Sequence, residues 1–156
     1  MKMLSKATLL AATLALTATA HAVDVSKPAK NGYNQQKVVY HVDDIAMAGA
    51  AFRNIKNHLN ALGDENADII VVTHSSGAFA LVDGAMGKKD KDGKPYNFSD
   101  QIAALADRGV KFEICANTIR GKKIPKDKIN LHAEVVPSGV AQIAALEQKG
   151  YVYIRP

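Results

Sequence analysis

One cysteine, Cys115, and no tryptophan occur in a chain of 156 residues. A lone thiol excludes an intramolecular disulfide framework and any zinc site built from several thiolates. Aromatic residues make up only 6%, too few for the stacked-ring surface of a single-strand nucleic-acid binder or for a carbohydrate cleft. Charge is also nearly balanced, with 20 Lys+Arg against 15 Asp+Glu. That surplus is too weak to point to nucleic acid or to a polybasic membrane contact. What the chain does have is an apolar fraction of 47%, ordinary for a folded core at a length that suits one domain.

The N-terminal segment reads as an address rather than as structure. Lys2 and Lys6 precede an apolar run from Ala7 to Ala20 broken only by threonines, and Ala20-His21-Ala22 offers small residues at the two positions a signal peptidase reads. The pattern is that of a secretory signal occupying residues 1–22, and its core is too short for a comfortable membrane span. Cleavage after Ala22 removes two basic residues and no acidic one, and no later stretch approaches span length. The expected product is an exported, periplasmic protein with no membrane attachment after cleavage.

Residues 23–36 are polar and without period, a flexible leader. From Lys37 the chain alternates strands and helices. KVVYHV (37–42), DIIVVT (68–73) and VKFEIC (110–115) are short runs rich in β-branched residues, and His132–Val136 and Tyr151–Ile154 add two more. Between the first two, Ala48, Phe52, Ile55, Leu59 and Leu62 recur at steps of four and three, and Gly63 ends that helix. Phe79–Met86 reads as a short helix, followed by a charged loop over Gly87–Pro95. A further helix is predicted at Ser99–Arg108 with Ile102, Leu105 and Ala106 inward, and helical fragments between Ala116 and Leu131. The last helix begins at the cap Ser138, with Val140, Ile143, Ala144 and Leu146 inward. Five strands separated by helices, several of them almost wholly apolar, call for an α/β fold with a mainly parallel sheet covered on both faces. Ligands in such sheets bind beyond the carboxyl ends of the strands. Functional weight therefore falls on 41–44, 74–77, 115–118 and 137–139.

Cys115 is the first candidate. It ends a strand and opens a helical stretch, where unpaired amides and the helix dipole favour thiolate. Asn117 and Thr118 supply those amides, and Arg120, Lys122 and Lys123 add positive charge. Such a thiolate can hold sulfane sulfur as a persulfide. The plainer alternative is a packed cysteine behaving as a small hydrophobe. His74, at the end of the second strand, is a candidate proton donor or ligand-orienting group, or else a histidine bonded at a strand end. His41, beside Asp43 and Asp44, poses the same choice. Cys115, His41, His74 and His132 lack close metal-ligand spacing, so no metal site is expected. THSSG (73–77) lacks the first glycine of a hydrolase nucleophile elbow. Neither a calcium loop at 88–99 nor a dinucleotide or phosphate loop is complete.

Taken in order, FEICANT (112–118), VPSGVAQI (136–143) and GYVYIRP (150–156) resemble exported members of the DsrE/DsrF-like superfamily. The likeness runs through most of 37–156, read as a single domain. It implies a three-layer α/β/α fold and homo-oligomers, often trimers or hexamers. In the sulfur-relay members it implies a strand-to-helix cysteine that passes persulfide sulfur between partner proteins, a position matched by Cys115. The well-studied relay members are cytoplasmic hetero-oligomers, from which an exported chain departs. The expectation is thus a periplasmic sulfur carrier acting through Cys115, with His74, Asn117, Thr118 and Arg120 around the sulfur and no cofactor. The rival is a non-catalytic oligomeric ligand-binding or assembly protein in which Cys115 is core. A metal-binding module through Cys115 and a histidine is a third, weaker reading.

Overall fold

The computed structural model describes residues 30–156. The signal segment, 1–22, and the first half of the leader, 23–29, lie outside them. At the near end of the described chain, Asn31 donates to the Ala61 carbonyl (2.9 Å) and Gln35 to Asn66 Oδ1 (3.0 Å), so this stretch lies along the domain.

Strand β1 (Gln36–Val42) leads through Asp44 into helix α1 (Ile45–Leu62). The Asp44 carboxylate accepts from the Ala46 amide at 3.1 Å, the usual role of an acidic N-cap. All five residues of the predicted apolar stripe of α1 are buried. Gly63, at φ 85°, ends the helix by donating to the Leu59 carbonyl. Next come β2 (Ala67–Thr73), α2 (Ser99–Ala106), β3 (Lys111–Cys115), α3 (Ala116–Lys122), β4 (Ala133–Val136), α4 (Gly139–Gln148) and β5 (Val152–Ile154). The strands form one sheet in the order β4-β3-β2-β1-β5, every neighbouring pair parallel. The expected mainly parallel sheet is therefore wholly parallel.

Side chains alternate between the two faces of this sheet. On one face Val38, Tyr40, Ile69, Val71, Phe112 and Ile114 meet buried residues of α1, α2 and α3. On the other Val39, Ile70 and Val72 meet Ile143 and Leu146 of α4. The result is the three-layer α/β/α sandwich. Each fully buried Val, Ile or Leu contributes roughly 1.5–3 kcal/mol relative to exposure, so the larger core holds the fold. Glu113 lies on the α4 face, where its carboxylate accepts from Gln142 Nε2 at 3.0 Å, and burial pushes its carboxyl pKa up.

Two local expectations differ from the structure. The predicted helix at Phe79–Met86 is two 3-10 segments, Ser75–Leu81 and Asp83–Gly87. Val82 between them is extended and bridges Ile129, and Gly84, Ala85 and Met86 all have positive φ, which no right-handed helix allows. In α4, Val140 is 67% exposed and Ala144 is also exposed, not inward. The buried stripe is Gly139, Ile143 and Leu146. Gly139 packs on His74 and Cys115, which sets the rotation of the helix and turns 140 and 144 to solvent.

The order of connections has one consequence for function. The helices following β1, β2 and β3 all cover one face, whereas α4, following β4, crosses to the other. Neighbouring strands β3 and β4 thus send their chains to opposite sides, which opens a crevice at their carboxyl ends. Cys115 stands at the edge of that crevice.

Two glycine substitutions test this packing with opposite signs. A Cβ at Gly77 would sit 2.1 Å from the Val42 carbonyl oxygen, a backbone atom. Gly77→Ala is expected to destabilise the fold by about 1–3 kcal/mol, the usual cost of overpacking. Gly121, within α3, has nothing within 4 Å of its Cβ position, and Gly121→Ala is expected to stabilise by about 0.5–1 kcal/mol. Urea unfolding of both variants measures the two changes.

Candidate functional site

Cys115 is the last residue of β3 and the N-cap of α3, with extended backbone angles of φ −71° and ψ 119°. An N-cap side chain points at the free amides of the first helical turn. Here that turn supplies Asn117 and Thr118, and the first amide of α4, from Gly139, approaches from across the crevice. Burial pushes the Cys115 thiol pKa up. The amides of Gly139, Thr118 and Asn117, with the Thr118 hydroxyl, outweigh that effect and hold it below the ordinary thiol value. The Cys115 side chain makes no cap hydrogen bond with this turn, and donors that lower a thiol pKa do so by favouring the anion. Two helix N-termini therefore converge on one sulfur atom.

Neighbouring groups hold this arrangement in place. The Thr118 hydroxyl accepts from the Ser75 amide at 3.2 Å, which leaves its proton free for the sulfur. Ser75 reaches that position with φ 51°, an uncommon backbone for a side-chain-bearing residue. Gly77 lets the Ser75–Gly77 turn lie directly on the end of β1, its amide donating to the Asp43 carbonyl at 3.0 Å. Ser76 Oγ donates to Asp44 Oδ1 at 3.1 Å. Gly139 is wedged in turn, a Cβ there lying 3.2 Å from His74 Cβ and 3.3 Å from Cys115 Cβ.

His74 flanks the same glycine as Cys115, so the two residues singled out in the sequence share one site. Its ring continues outward in a hydrogen-bonded row. Nδ1 pairs with Ser75 Oγ at 3.1 Å and Nε2 with His41 Nε2 at 2.7 Å, while His41 Nδ1 pairs with the Tyr153 hydroxyl at 2.7 Å. Burial first, and then His74, hold the His41 pKa below its ordinary value; Asp43 opposes this and Arg155 adds to it. Arg155 makes a two-point contact with Asp43, at 2.8 and 3.2 Å. Burial pushes the Asp43 carboxyl up, but Arg155 outweighs it and keeps the carboxyl below its usual range.

Asn117 and Thr118 thus reach Cys115 through their amides. Arg120 lies on the exposed side of α3, with its guanidinium on the Asn117 side-chain oxygen, and is not among the groups acting on the sulfur. The sequence reading did not find the Gly139 amide, the His41–His74 pair or Tyr153 as parts of one site. Ser138, read as a helix cap, was the available signal for the first. Among the described residues no group of three His, Cys, Asp or Glu side chains is suited to a metal ion. Two surface cavities lie elsewhere. One of about 320 Å³ runs between α1 and α2, and one of about 230 Å³ lies beside Tyr33 and His58; neither is lined by Cys115.

The model of the DsrE/DsrF-like family matches residues 10–156. The chain belongs to this family. Among solved structures, it is similar to MTH1491, a protein of unknown function from Methanobacterium thermoautotrophicum. The identity is 28% and the TM-score 0.66, over 78% of this chain and 99% of that one. It is also similar in fold to the ychN protein from E. coli, with 15% identity and a TM-score of 0.57 over the same shares. No curated protein matches.

The electrostatic account of this DsrE/DsrF-like site can be tested through Thr118. Thr118→Val removes the hydroxyl and keeps the amide, so the Cys115 pKa is expected to rise and its iodoacetamide alkylation at pH 7 to slow roughly three- to tenfold. Arg120→Ala is expected to leave the alkylation profile unchanged. Rates measured between pH 6 and 9 decide both.

Proposed function

We propose that this DsrE/DsrF-like protein is a sulfur carrier that holds sulfane sulfur as a persulfide on Cys115. The observation that carries the reading is the convergence of the Gly139, Thr118 and Asn117 amides and the Thr118 hydroxyl on that sulfur, which lowers its pKa despite burial. Thiolate is the form that attacks sulfur. In loading, the Cys115 thiolate attacks the outer sulfur of a donor persulfide R–S–SH. The donor S–S bond breaks, its electron pair leaves on the donor thiolate, and Cys115–S–SH forms. No external oxidant or reductant is consumed. The same amides stabilise the Cys115 thiolate when it becomes the leaving group in delivery.

His74, Asn117 and Thr118 form the sulfur-binding set in this reading, and Arg120, turned to the Asn117 side chain, is left out of it. The carrier is exported, a proposal supported by the signal pattern of residues 1–22. It works as a homo-oligomer, trimer or hexamer, supported by the exposed apolar side chains of Val135, Val140 and Val152, and exchanges sulfur with a donor or acceptor protein. One observation favours the rival reading of an assembly or ligand-binding protein with a core thiol: Cys115 is only 5% exposed.

Incubation of the protein with polysulfide, followed by intact mass measurement, separates the two. The expected result is a gain of whole sulfur atoms, reversed by dithiothreitol and absent from Cys115→Ser. An unchanged mass, with Cys115 also resistant to iodoacetamide in the native state, sinks the carrier reading in favour of the core thiol.

A further inference from the structure

We infer that Ser75, His74, His41 and Tyr153 form a proton relay that serves sulfur delivery from Cys115, carrying the proton of an attacking thiol out to solvent. This rests on the carrier reading above. Delivery poses a problem that loading by the already ionised Cys115 does not. An acceptor thiol A–SH must lose its proton as its sulfur attacks the terminal sulfur of Cys115–S–SH. The Cys115 S–S bond then breaks, its electron pair stays on Cys115, and the products are A–S–SH, the Cys115 thiolate and one proton. The amides around Cys115 are donors only and cannot take that proton.

The row of side chains beside the sulfur can take it. Ser75 is exposed, and its amide bonds the same Thr118 hydroxyl that acts on Cys115. Its hydroxyl pairs with His74, His74 with His41, and His41 with Tyr153, at 3.1, 2.7 and 2.7 Å. Two imidazoles joined Nε2 to Nε2 hold one proton between them, so the row has a direction. In one state Ser75 donates to His74, His74 to His41, and His41 to the Tyr153 oxygen. Taking the acceptor's proton on Ser75 shifts one proton along each bond, and Tyr153, 39% exposed, releases one to solvent. The row then points the other way, with Tyr153 donating inward. One proton enters and one leaves. Rotation of the hydroxyls and exchange with solvent restore the first state.

The groups facing the pair fit this task. Asp43 and Arg155 face His41 with opposite signs and are bonded to each other. Tyr153 approaches from β5, and α4 contributes Gly139 and no charge. A second proton on the pair would set N–H against N–H, so the relay stops in acid.

Delivery from polysulfide-loaded, desalted protein to 2-mercaptoethanol, followed by mass between pH 5.5 and 8, is the test. Without a relay only preformed acceptor thiolate reacts, so the rate rises tenfold per pH unit. The wild type is expected to react faster than that line at pH 6.5–7.5 and with a shallower slope. His41→Gln is expected to lose about a hundredfold at pH 7, within the range for acid–base catalysis, and to fall back onto the tenfold line. Tyr153→Phe, which keeps the ring, is expected to lose less and to steepen the slope. Loading and alkylation of Cys115 should be unchanged in both. If His41→Gln does not fold, Tyr153→Phe decides. A wild type that loads sulfur but delivers it along the tenfold line, or variants with wild-type profiles, overturn the relay alone. A wild type that takes up no sulfur overturns the carrier reading and the relay with it.

Discussion

Much of this molecule is arranged around the approach of backbone N–H groups to one sulfur atom. Amides of α3 reach Cys115 because it is the residue on which that helix starts. The amide of α4 reaches it because β4 lies next to β3 and its chain crosses to the opposite face of the sheet. The second contact would not survive a sheet with another strand order. Gly139 is the point at which this depends on a single residue, since His74 Cβ and Cys115 Cβ already stand 3.2 and 3.3 Å from where a Cβ would be. A side chain there would push α4, and with it the amide, away from the sulfur. The close approach on the other side, Gly77 on the Val42 carbonyl, plays the same part for the turn that carries His74 and Ser75.

The electrostatics of the site follow from a contest between burial and hydrogen-bond donors. Burial alone would leave Cys115 an inert thiol, as it is for most packed cysteines. Amides reverse the outcome because they are fixed by helix geometry before any charge forms, so no reorganisation is needed when the sulfur becomes an anion. Arg120 is nearer in sequence than Gly139 and carries a full charge, yet it is turned to the Asn117 side chain on the exposed side of α3. Solvent screens such a charge strongly, whereas the amides lie beside a largely buried sulfur. Position in the fold outweighs formal charge here.

How far the sequence could be read divides along the range of the interactions. Strands, the α1 stripe and the cap at Ser138 depend on residues a few positions apart, and they were legible. So was Cys115 at a strand-to-helix junction. The misplaced stripe of α4 shows where that ends. Val140 and Ala144 are apolar and correctly spaced, but the rotation of the helix is set by Gly139 against residues of two other strands, which no periodicity contains. The failed helix at Phe79–Met86 has the same origin in the Val82–Ile129 bridge. His41, His74 and Tyr153 meet only because β5 returns to pair with β1 at the far side from β4. Resemblance to the DsrE/DsrF-like family supplied the three layers, and it spoke to Cys115 alone among the site residues.

A site centred on one sulfur atom differs in kind from a pocket that encloses a ligand. A carrier of sulfane sulfur has a cargo of one atom, already covalently attached, and recognises it by stabilising charge rather than by enclosing a shape. Such a site needs donors aimed at one point, a shallow opening through which a second sulfur can approach in line, and a route for a proton. On the carrier reading, the amides around Cys115 supply the donors and the imidazole row to one side supplies the route. A site for a small organic ligand would instead require a concave, largely apolar volume of several hundred cubic ångströms. The cavity of about 320 Å³ between α1 and α2 is of that size and lies across the sheet from α4. On the same reading, specificity for donor and acceptor falls to the surface around the crevice and not to the walls of a pocket.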